Sequence, residues 1–397
     1  MASGSTSLGH DAGSDDPHAR LGRTPIGILE MTLRRSRNPV TSKPRTTLKM
    51  VAKYVGLTPG TVSAVLNDTP ACRSVPERTK QRIFAAARDL EYKPDFWARA
   101  LRLKRTYTIG VIAAQIGDPY GSVIIGGIEW YLRENGFFFL TMVHRHQDEI
   151  LESHSKLLIE RGAEGLITID TSIPHSLHVP VVAIAGHRPS DGVTNIVIDH
   201  RTAALYVLSH LHELGHRDIA FMKGPDASSD SIDRWQSIVD VSRELGIRIQ
   251  PELVVDLKNA EGNAASAPEY GYPFAKELLR RKRPFTALFA YNDNSAIAAI
   301  RVFQDAGLRV PEDVSVVGFD DIQPASYARP ALTTIRQPLQ QMGEMAARTI
   351  LDRIERNAEH VPEIAIEPQL ILRNSTGPAR TFLPDASFAA ARDYSRD

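Results

Sequence analysis

Beyond residue 106, short apolar runs alternate with helical stretches, and the alternation occurs twice. The first series of runs reads YTIGVIA, FFFLTMV, GLITI and VVAIA, with helical stretches at 121–135 and 149–161. The second series starts at DIAFMKG and continues through LVVDL, ALFAYND and VSVVGFD. Near-continuous apolar strands that alternate with helices are typical of a parallel sheet covered on both faces. Two such series predict a two-lobed α/β body with a cleft where the carboxyl ends of the strands gather polar residues.

The region before this body predicts a small all-α unit of three helices. The segment TLKMVAKYV carries apolar residues at helical spacing, and Gly56 ends it. Thr58 then takes the N-cap position of a second helix and Pro59 its first helical position, where the missing N–H has no intrahelical partner. A third helix is predicted from about Pro76 through ERTKQRIFAAARDLEY. Helix, glycine turn, helix and packing helix outline a helix-turn-helix module.

Charge is distributed unevenly along the chain. The whole sequence balances 47 Lys and Arg residues against 47 Asp and Glu residues. Residues 31–107 hold 17 basic and 5 acidic residues, a net charge of +12, whereas residues 108–397 hold 28 and 38, a net charge of −10. A basic head on an acidic body favours a polyanionic partner such as DNA, although a solvated basic face would give the same count.

Composition indicates the cellular compartment of the protein and the character of its first 46 residues. Cys72 is the single cysteine, which excludes an internal disulfide framework and favours a reducing compartment. No run approaches the roughly 20 apolar residues of a membrane span, and no secretory signal is visible. We therefore expect a cytoplasmic, nucleoid-associated protein. Residues 1–46 lack apolar periodicity and are predicted to be a disordered basic and polar tail, with Met31 as an alternative start.

Several motifs, taken in order, resemble the lactose-repressor (LacI/GalR) family of bacterial transcription regulators. They are TLKMVAKYVGLTPGTVSAVLN, LEYKPDFWARALRLKRTYTIGVI, DPYGSVIIGGIEWYLRENGF, VIDHRTAALYVLSHLHELGHRDIAFMKG and PEDVSVVGFDDIQPASYARPALTTIRQPL. The resemblance implies an all-α helix-turn-helix domain followed by a two-lobed α/β sensor domain like that of periplasmic binding proteins. The expected parts are the helix-turn-helix domain at 47–94, a hinge helix or linker at 95–106, a ligand-binding and dimerisation domain at 107–376, and a loose C-terminal tail at 377–397. Lobe 1 is expected at about 107–197 and 335–358, and lobe 2 at about 198–334 and 359–376.

The resemblance also implies how the head binds DNA. The second helix would lie in the major groove, and the hinge helix would insert an apolar side chain between base steps of the minor groove. The matching wedge is Leu101 in ARAL, although packing at the domain junction is an alternative role for it. Lys53, Arg102 and Lys104 are expected phosphate contacts. The expected DNA-contacting residues are Thr47, Leu48, Lys53, Thr58, Pro59, Gly60, Thr61, Ser63, Ala64, Asn67, Ala98, Leu101 and Lys104.

The second helix departs from the family pattern. Pro59 and Gly60 stand where long polar side chains are common, and Ala64 replaces the arginine that commonly follows TVS. Without that arginine the helix lacks a bidentate contact to guanine, which is worth roughly 1–3 kcal/mol of discrimination. Sequence readout is then expected from Thr58, Thr61, Ser63 and Asn67, from methyl contacts of Ala64 and from DNA deformability around Leu101. We expect an unusual operator half-site.

The resemblance places five residues in the cleft of the sensor domain. They are Asp118 in DPY, Tyr120, Arg234 in DSIDRW, Asn292 in YND and Asp320 in GFDD. Carboxylates, an amide and a guanidinium suit the vicinal hydroxyls of a sugar, and Tyr120, Trp235 or Tyr291 would cover its ring. Structural roles are the alternatives, since an Asp before a proline forms turns and Asp320 could cap a helix. RWQSI stands where the family usually has an arginine-glycine-phenylalanine pattern, which leaves the pocket shape open.

Two histidine patterns are not interpreted as functional sites. HELGH at 212–216 matches the zinc-protease pattern, but Gly215 falls where the helix should stop, so His216 would leave the helical face of His212. HRH at 144–146 is predicted to be a solvated loop near the cleft. Neither a G-x-G-x-x-G motif nor a P-loop is present, so no cofactor is expected.

These features together predict a ligand-responsive transcription regulator, a repressor that is not an enzyme. We expect a homodimer, or a tetramer, on a pseudo-palindromic operator, with a small effector such as a carbohydrate between the lobes. A solute-binding protein and an α/β enzyme on the same two-lobed scaffold are the alternatives, and the basic residues at 47–107 argue against the first.

Overall fold

The computed structural model describes residues 46–93, 100–145, 147–173, 177–186, 190–225, 228–257 and 271–380, except Arg102 and the side chain of Ser229. The chain divides into two units, Met1–Asp95 and Phe96–Asp397. The predicted tail at 1–46 lies outside the described residues apart from Thr46. Its hydroxyl donates to the carbonyl oxygen of Leu90 at 2.8 Å, so Thr46 belongs to the first unit rather than to a disordered tail.

The first unit has the predicted helical order. Its helices are α1 (Leu48–Val55), α2 (Pro59–Leu66), a 3-10 helix (Pro70–Ser74) and α3 (Glu77–Asp89). Gly56 has a φ of +69°, and this left-handed conformation, which favours glycine, ends α1. The hydrophobic core of the unit contains Val51, Val62 and Ile83, each fully buried. The 3-10 helix was not predicted.

The second unit contains the predicted alternation of strands and helices. Its elements are β1 (Thr108–Ala113), α4 (Pro119–Glu134), β2 (Phe138–Val143), α5 (Asp148–Glu160), β3 (Gly165–Ile169), β4 (Val181–Ile184), β5 (Val193–Ile198), α6 (His200–Glu213), β6 (Ile219–Lys223), α7 (Ser229–Glu244), a 3-10 helix (Pro251–Leu253), β7 (Val254–Asp256), α8 (Tyr272–Arg280), β8 (Ala287–Phe289), α9 (Asp293–Asp305), β9 (Ser315–Asp320), α10 (Gln323–Tyr327), β10 (Thr333–Arg336), α11 (Leu339–Glu355), β11 (Glu363–Ile366) and β12 (Gln369–Ile371). Each apolar run named above forms a strand, whereas β5, β10, β11 and β12 were not predicted.

The strands form two six-stranded sheets with equivalent order. Lobe 1 has the order β11-β5-β4-β3-β1-β2, and lobe 2 has β12-β10-β9-β8-β6-β7. The described strand pairs are parallel, apart from β10 with β12. In both sheets the first strand of the lobe lies inside the sheet, so the strand order reverses there. Ligands bind beyond the carboxyl ends of the strands at such a reversal.

Two predicted lobe boundaries are wrong. Strand β11 was assigned to lobe 2, but it pairs with β5 in the sheet of lobe 1. Strand β10, whose second half was assigned to lobe 1, pairs along its length with β9 in lobe 2. Short strands of only three or four residues carry too little periodicity to be assigned to a sheet from sequence alone.

The C-terminal tail begins later than predicted. The amide of Gly377 donates to Ser315 Oγ at 3.0 Å, and the amide of Ala379 donates to the carbonyl oxygen of Leu214 at 2.8 Å. Arg380 forms an ion pair with Asp313 at 2.9 Å. Residues 377–380 are therefore fixed to lobe 2, and 381–397 lie outside the described residues.

Helices α4 and α11 pack with their backbones in contact. A Cβ atom on Gly127 would lie 2.1 Å from the carbonyl oxygen of Gln340, and one on Gly343 would lie 2.1 Å from that of Ile124. Only glycine permits this approach, which fixes α4 and hence the residues at its amino end. Among the described residues, no helix combines the length and apolar character that a bilayer crossing requires.

Candidate functional site

The amino end of α2 presents an exposed surface of short side chains. Thr58 Oγ1 accepts a hydrogen bond from the amide of Thr61 at 3.2 Å, which confirms its predicted N-cap position. Thr58, Pro59 and Gly60 are exposed, and so is Lys53 on the preceding helix. Thr47 is likewise an exposed N-cap, of α1, and accepts from the amide of Met50.

Four of the expected DNA contacts fit this surface poorly. Ser63 and Ala64 are only 7% and 8% exposed, so they present little surface to a partner, and their contact with base edges stays a prediction. The amide nitrogen of Asn67 donates to the carbonyl oxygen of Ser63 at 2.8 Å and caps the helix instead of facing outward. Leu48 is half-buried against the core of the unit. The sequence reading assigned only one stripe of α2 to the interior, but Val62 through Val65 are all buried.

The hinge region exposes its predicted wedge. Ala100, Leu101 and Leu103 are helical, and the side chain of Leu101 is 81% exposed. Lys104 is also exposed. Ala98 and Arg102 lie outside the described residues.

An acid that the sequence reading missed fixes the chain directly after the hinge. Glu164 accepts from the amides of Thr106 and Tyr107 at 2.5 and 2.8 Å, and it pairs with Arg105 Nε at 2.7 Å. The Arg105 guanidinium lies 4.7 Å from the centroid of the Tyr107 ring. The hinge therefore leaves lobe 1 from a fixed point.

All five predicted cleft residues line one cavity. The cavity has a volume of about 80 Å³. Its lining comes from both lobes: Ala113, Ala114, Gln115, Asp118, Tyr120, Gly121, Ile169, Asp170, Pro225, Asp230, Arg234, Tyr291, Asn292, Asn294, Asp320 and Ile322. Trp235 lies elsewhere, with its ring centroid 5.9 Å from that of Phe221 in the core of lobe 2, so it does not cover a ligand.

Two of the predicted residues, Asp118 and Asn292, also have structural roles as helix caps. Asp118 is the N-cap of α4 and accepts from the amide of Gly121 at 3.2 Å. Asn292 is the N-cap of α9 and forms a capping box with Ser295. Asp320 does not cap a helix, because it accepts from Gln337 Nε2 at 2.7 Å.

Arg234 is held by groups of lobe 2 itself. Its Nη2 pairs with Asp230 Oδ2, and its Nη1 donates to the carbonyl oxygen of Tyr291 at 2.5 Å. The guanidinium lies 3.7 Å from the centroid of the Phe319 ring and 4.8 Å from that of Tyr291. Asp230 Oδ1 lies 2.9 Å from His200 Nε2. Burial opposes the charged form of Arg234, but Asp230 and the other nearby acids raise its pKa above the ordinary value.

Asp170 forms a hydrogen bond between the two lobes. It follows β3 in lobe 1, and its Oδ1 accepts a hydrogen bond at 2.9 Å from Ser228, the N-cap of α7 in lobe 2. Burial, reinforced by repulsion from Asp230, raises the pKa of Asp170 to about 7. Burial also raises the pKa of Asp320 to about 7, against the attraction of Arg234, and raises that of Asp118. Acids whose pKa values are raised within one cavity are typical of a functional site.

Family models match both parts of the chain. Residues 47–95 match the model for bacterial regulatory proteins of the lacI family, and residues 208–376 match the periplasmic binding protein-like domain. The HTH-type transcriptional repressor PurR of Photorhabdus laumondii is 33% identical over 338 residues, which cover 83% of this chain and 96% of that protein. The PurR of Yersinia pestis strain Antiqua is 32% identical, over 85% of this chain and 99% of that protein.

The chain belongs to the lacI family of bacterial regulatory proteins. This LacI-family protein is accordingly a ligand-responsive DNA-binding transcription regulator, as the resemblance implied. Solved structures agree with its fold. The Lac repressor bound to ONPG in the repressed state has a TM-score of 0.75 and 25% identity, over 84% of this chain and 100% of that chain. A CelR–cellobiose complex has a TM-score of 0.62 and 28% identity, over 83% and 100%.

One histidine from each of the two patterns, His216 and His144, is buried within this LacI-family regulator. Gly215 ends α6 with a φ of +89°, and His216 is buried, with Nδ1 2.9 Å from Thr286 Oγ1 and Nε2 3.0 Å from the carbonyl oxygen of Gly377. His144 is buried and lies 2.8 Å from Thr171 Oγ1, so its prediction as part of a solvated loop is wrong. Among the described residues, no group of three or more His, Cys, Asp or Glu could hold a metal ion.

The sequence reading missed Asp170, Asp230 and His200. Asp170 directly follows GLITI, so the rule that polar residues gather after strands would have found it. Asp230 stands four residues before Arg234 on one helix, the spacing of an intrahelical ion pair. His200 has no local signal, because its partner is 30 residues away.

Proposed function

We propose that this regulator is a cytoplasmic repressor that binds a pseudo-palindromic operator as a homodimer and responds to a small polyhydroxylated effector, most simply a sugar. The observation that carries the effector proposal is the cavity between the lobes. It combines carboxylates, amides and tyrosines, the groups that exchange hydrogen bonds with vicinal hydroxyls. We propose no cofactor or metal and no enzymatic reaction.

Unsatisfied buried donors and acceptors at the cleft support a hydroxylated ligand. Arg234 Nε in the cavity wall and Gln337 Oε1, on the residue behind Asp320, are buried, and neither has a hydrogen-bond partner among the described residues. Buried polar atoms are nearly always satisfied, by protein, water or ligand. A hydroxyl group both donates and accepts, so it suits this mixed pair. The CelR relative, whose structure is a cellobiose complex, is in keeping with such a ligand.

The head is proposed to bind DNA through the exposed start of α2 and through the hinge. Thr47, Lys53 and Thr58 present exposed hydroxyls and a cation, and Gly60 lets a duplex approach the backbone of α2 closely. Leu101 is exposed on a basic segment and gains apolar contact when it is inserted between base steps. With Ser63 and Ala64 buried, few side chains remain to read base edges, which supports an unusual half-site.

Apolar side chains on lobe 1 support the homodimer. Strand β2 is an edge strand, and Phe138 and Leu140 on one of its faces are 69% and 45% exposed. Val123 and Trp130 are exposed seven residues apart on α4, hence on one side of that helix. Exposed apolar clusters of this kind mark protein contacts. We expect Phe138→Asp to shift the protein toward monomer in sedimentation-velocity runs, while an exposed polar control, Lys156→Ala, leaves the dimer intact.

DNA and ligand binding are tested separately. Fluorescence anisotropy with a duplex from upstream of the regulator's own gene is expected to show binding by the full chain and none by residues 108–397. A thermal-shift screen with sugars, sugar phosphates and nucleobases is expected to find at least one stabilising sugar. Stabilisation without any DNA binding would favour a solute-binding protein, and turnover of the compound would favour an enzyme.

A further inference from the structure

The cavity is rich in acids and poor in available cations. Asp118, Asp170 and Asp320 line it, and none of the three forms an ion pair with another described residue, although Arg234 attracts Asp320 at longer range. Each has a neutral donor instead: the Gly121 amide, Ser228 and Gln337. An effector that enters this cavity therefore meets carboxylates that lack cationic partners of their own.

Arg234 is the only basic side chain among the described residues that line the cavity, and both of its terminal nitrogens are already occupied. Asp230 takes one of its terminal nitrogens and the Tyr291 carbonyl takes the other, while two aromatic rings cover the guanidinium. Arg234, Asp230 and His200 are each only 5% exposed, so solvent does not compete for these bonds. A charge pair buried to this degree is costly to break, because separation leaves a charge without compensation.

Asp230 itself is positioned by a second element. His200 opens α6, and its Nε2 lies 2.9 Å from Asp230 Oδ1, whereas Oδ2 faces Arg234. Asp230 and Arg234 are four residues apart on α7, so one helix fixes their separation. The carboxylate is therefore held against the guanidinium by its own helix and by His200.

We propose that Asp230 determines the charge selectivity of the cleft: it neutralises Arg234 and so makes the cleft reject effectors that carry a phosphate or carboxylate group. The proposal rests on the proposed function, because it assumes that the effector occupies this cavity. Effectors without an anionic group find hydrogen-bond acceptors in the cleft. Anionic effectors find repulsion from Asp118, Asp170 and Asp320 and no cation free to pair with them.

Inorganic phosphate is the probe that tests this role directly, on the full chain at pH 8 and at constant ionic strength against chloride. Asp230→Asn keeps the shape of the side chain but leaves Arg234 without its counter-charge. We expect this variant to bind phosphate at least about tenfold more tightly than the wild-type protein, measured by calorimetry and by thermal shift. Asp233→Asn is the matched control, because it removes one negative charge from an exposed position of the same helix, outside the cavity lining, and we expect it to behave as wild type. The double variant Asp230→Asn, Arg234→Gln is expected to lose the gained phosphate binding.

Three results would overturn the proposal: phosphate binding by the wild-type protein that Arg234→Gln abolishes, no gain in Asp230→Asn, or an equal gain in Asp233→Asn. If circular dichroism shows that Asp230→Asn does not fold, wild-type protein decides the matter with glucose, ribose and their monophosphates. A monophosphate that stabilises the wild-type protein more than its parent sugar overturns the proposal, and monophosphates that never do so support it. A screen in which no sugar binds contradicts the proposed sugar effector, whereas the phosphate experiment still decides the role of Asp230.

Discussion

The DNA-binding surface and the effector cleft are built in opposite ways. On the helix-turn-helix unit, the groups proposed to bind DNA are exposed and are held by neighbours within a few residues, as Thr58 is by Thr61. In the cleft, Asp118 and Asn292 are also held locally as helix caps, but Asp230 is buried and is held by the distant His200, and Asp170 is held by the distant Ser228. Substitutions on the first surface should therefore change binding alone, whereas substitutions in the cleft should change binding and folding together.

The largest expected effect tests the buried side of this comparison. Asp230→Ala leaves Arg234 as a buried charge without its partner, and we expect the free energy of unfolding of the sensor domain to fall by about 3–5 kcal/mol. The double variant Asp230→Ala, Arg234→Met should recover much of this loss, because it removes both charges. Urea denaturation followed by tryptophan fluorescence measures both. A loss below about 1 kcal/mol in the single variant would show that the pair is not needed for folding.

The second effect concerns pH. The pKa of Asp170 is raised to about 7, so the folded protein binds a proton there that the unfolded chain releases near pH 4. Its contribution to stability is present below pH 4 and is lost as the pH rises to about 7, by on the order of 4 kcal/mol. Asp320, whose pKa is also raised to about 7, acts in the same direction. We expect Asp170→Asn to flatten the decline in melting temperature between pH 5 and pH 8, and an unchanged decline would contradict its burial as an acid.

A smaller effect is expected from substitution of Leu101, the exposed residue of the hinge. Leu101 is 81% exposed, so Leu101→Ala should leave the free energy of unfolding almost unchanged. Insertion between base steps would bury the side chain, which is worth about 2 kcal/mol. We therefore expect operator affinity to fall roughly 10- to 100-fold in anisotropy titrations. An unstable variant with unchanged DNA affinity would show that Leu101 packs in the protein instead.

The smallest effect distinguishes a phosphate contact from a folding contact. Lys53→Ala should change stability by less than about 0.5 kcal/mol, because the side chain is exposed. It should weaken binding to all duplex sequences alike and lower the slope of log affinity against log salt by about 1. Lys156 on α5 of lobe 1, exposed and paired with Glu152, is the control, and Lys156→Ala should leave DNA affinity unchanged.

The same contrast explains what the sequence could predict. Helix starts at Thr58 and Asp118 follow from local capping chemistry, and the apolar runs place most strands because burial on both faces leaves a pattern of its own. The partners of Asp230 and Asp170 depend on chain segments 30 and 58 residues away. Contacts between residues so far apart along the chain leave no periodic pattern in the sequence. The same limit explains why β11 was placed in the wrong lobe.

The burial of side chains in the short helix α2 was the other feature that the sequence did not predict. In α2, four consecutive residues from Val62 to Val65 are buried, although an amphipathic helix of eight residues should expose about half of them. Small side chains at Ser63 and Ala64 allow this, and the family pattern led to the opposite expectation. The site residues taken from the resemblance were correct in place for the cleft, but Arg234 is bonded within the protein rather than free to bridge two oxygens of a ligand.

The central claim is that a salt-sensitive DNA-binding head is linked to an effector cleft in one chain. The most direct measurement is the affinity of the full-length protein for its upstream duplex, determined by anisotropy at several salt concentrations with and without each stabilising compound. We predict an affinity that falls steeply with salt and that shifts by at least fivefold when a cleft ligand saturates the protein. An affinity that is insensitive to salt, or that stays the same in the presence of every compound that stabilises the protein, would contradict the account.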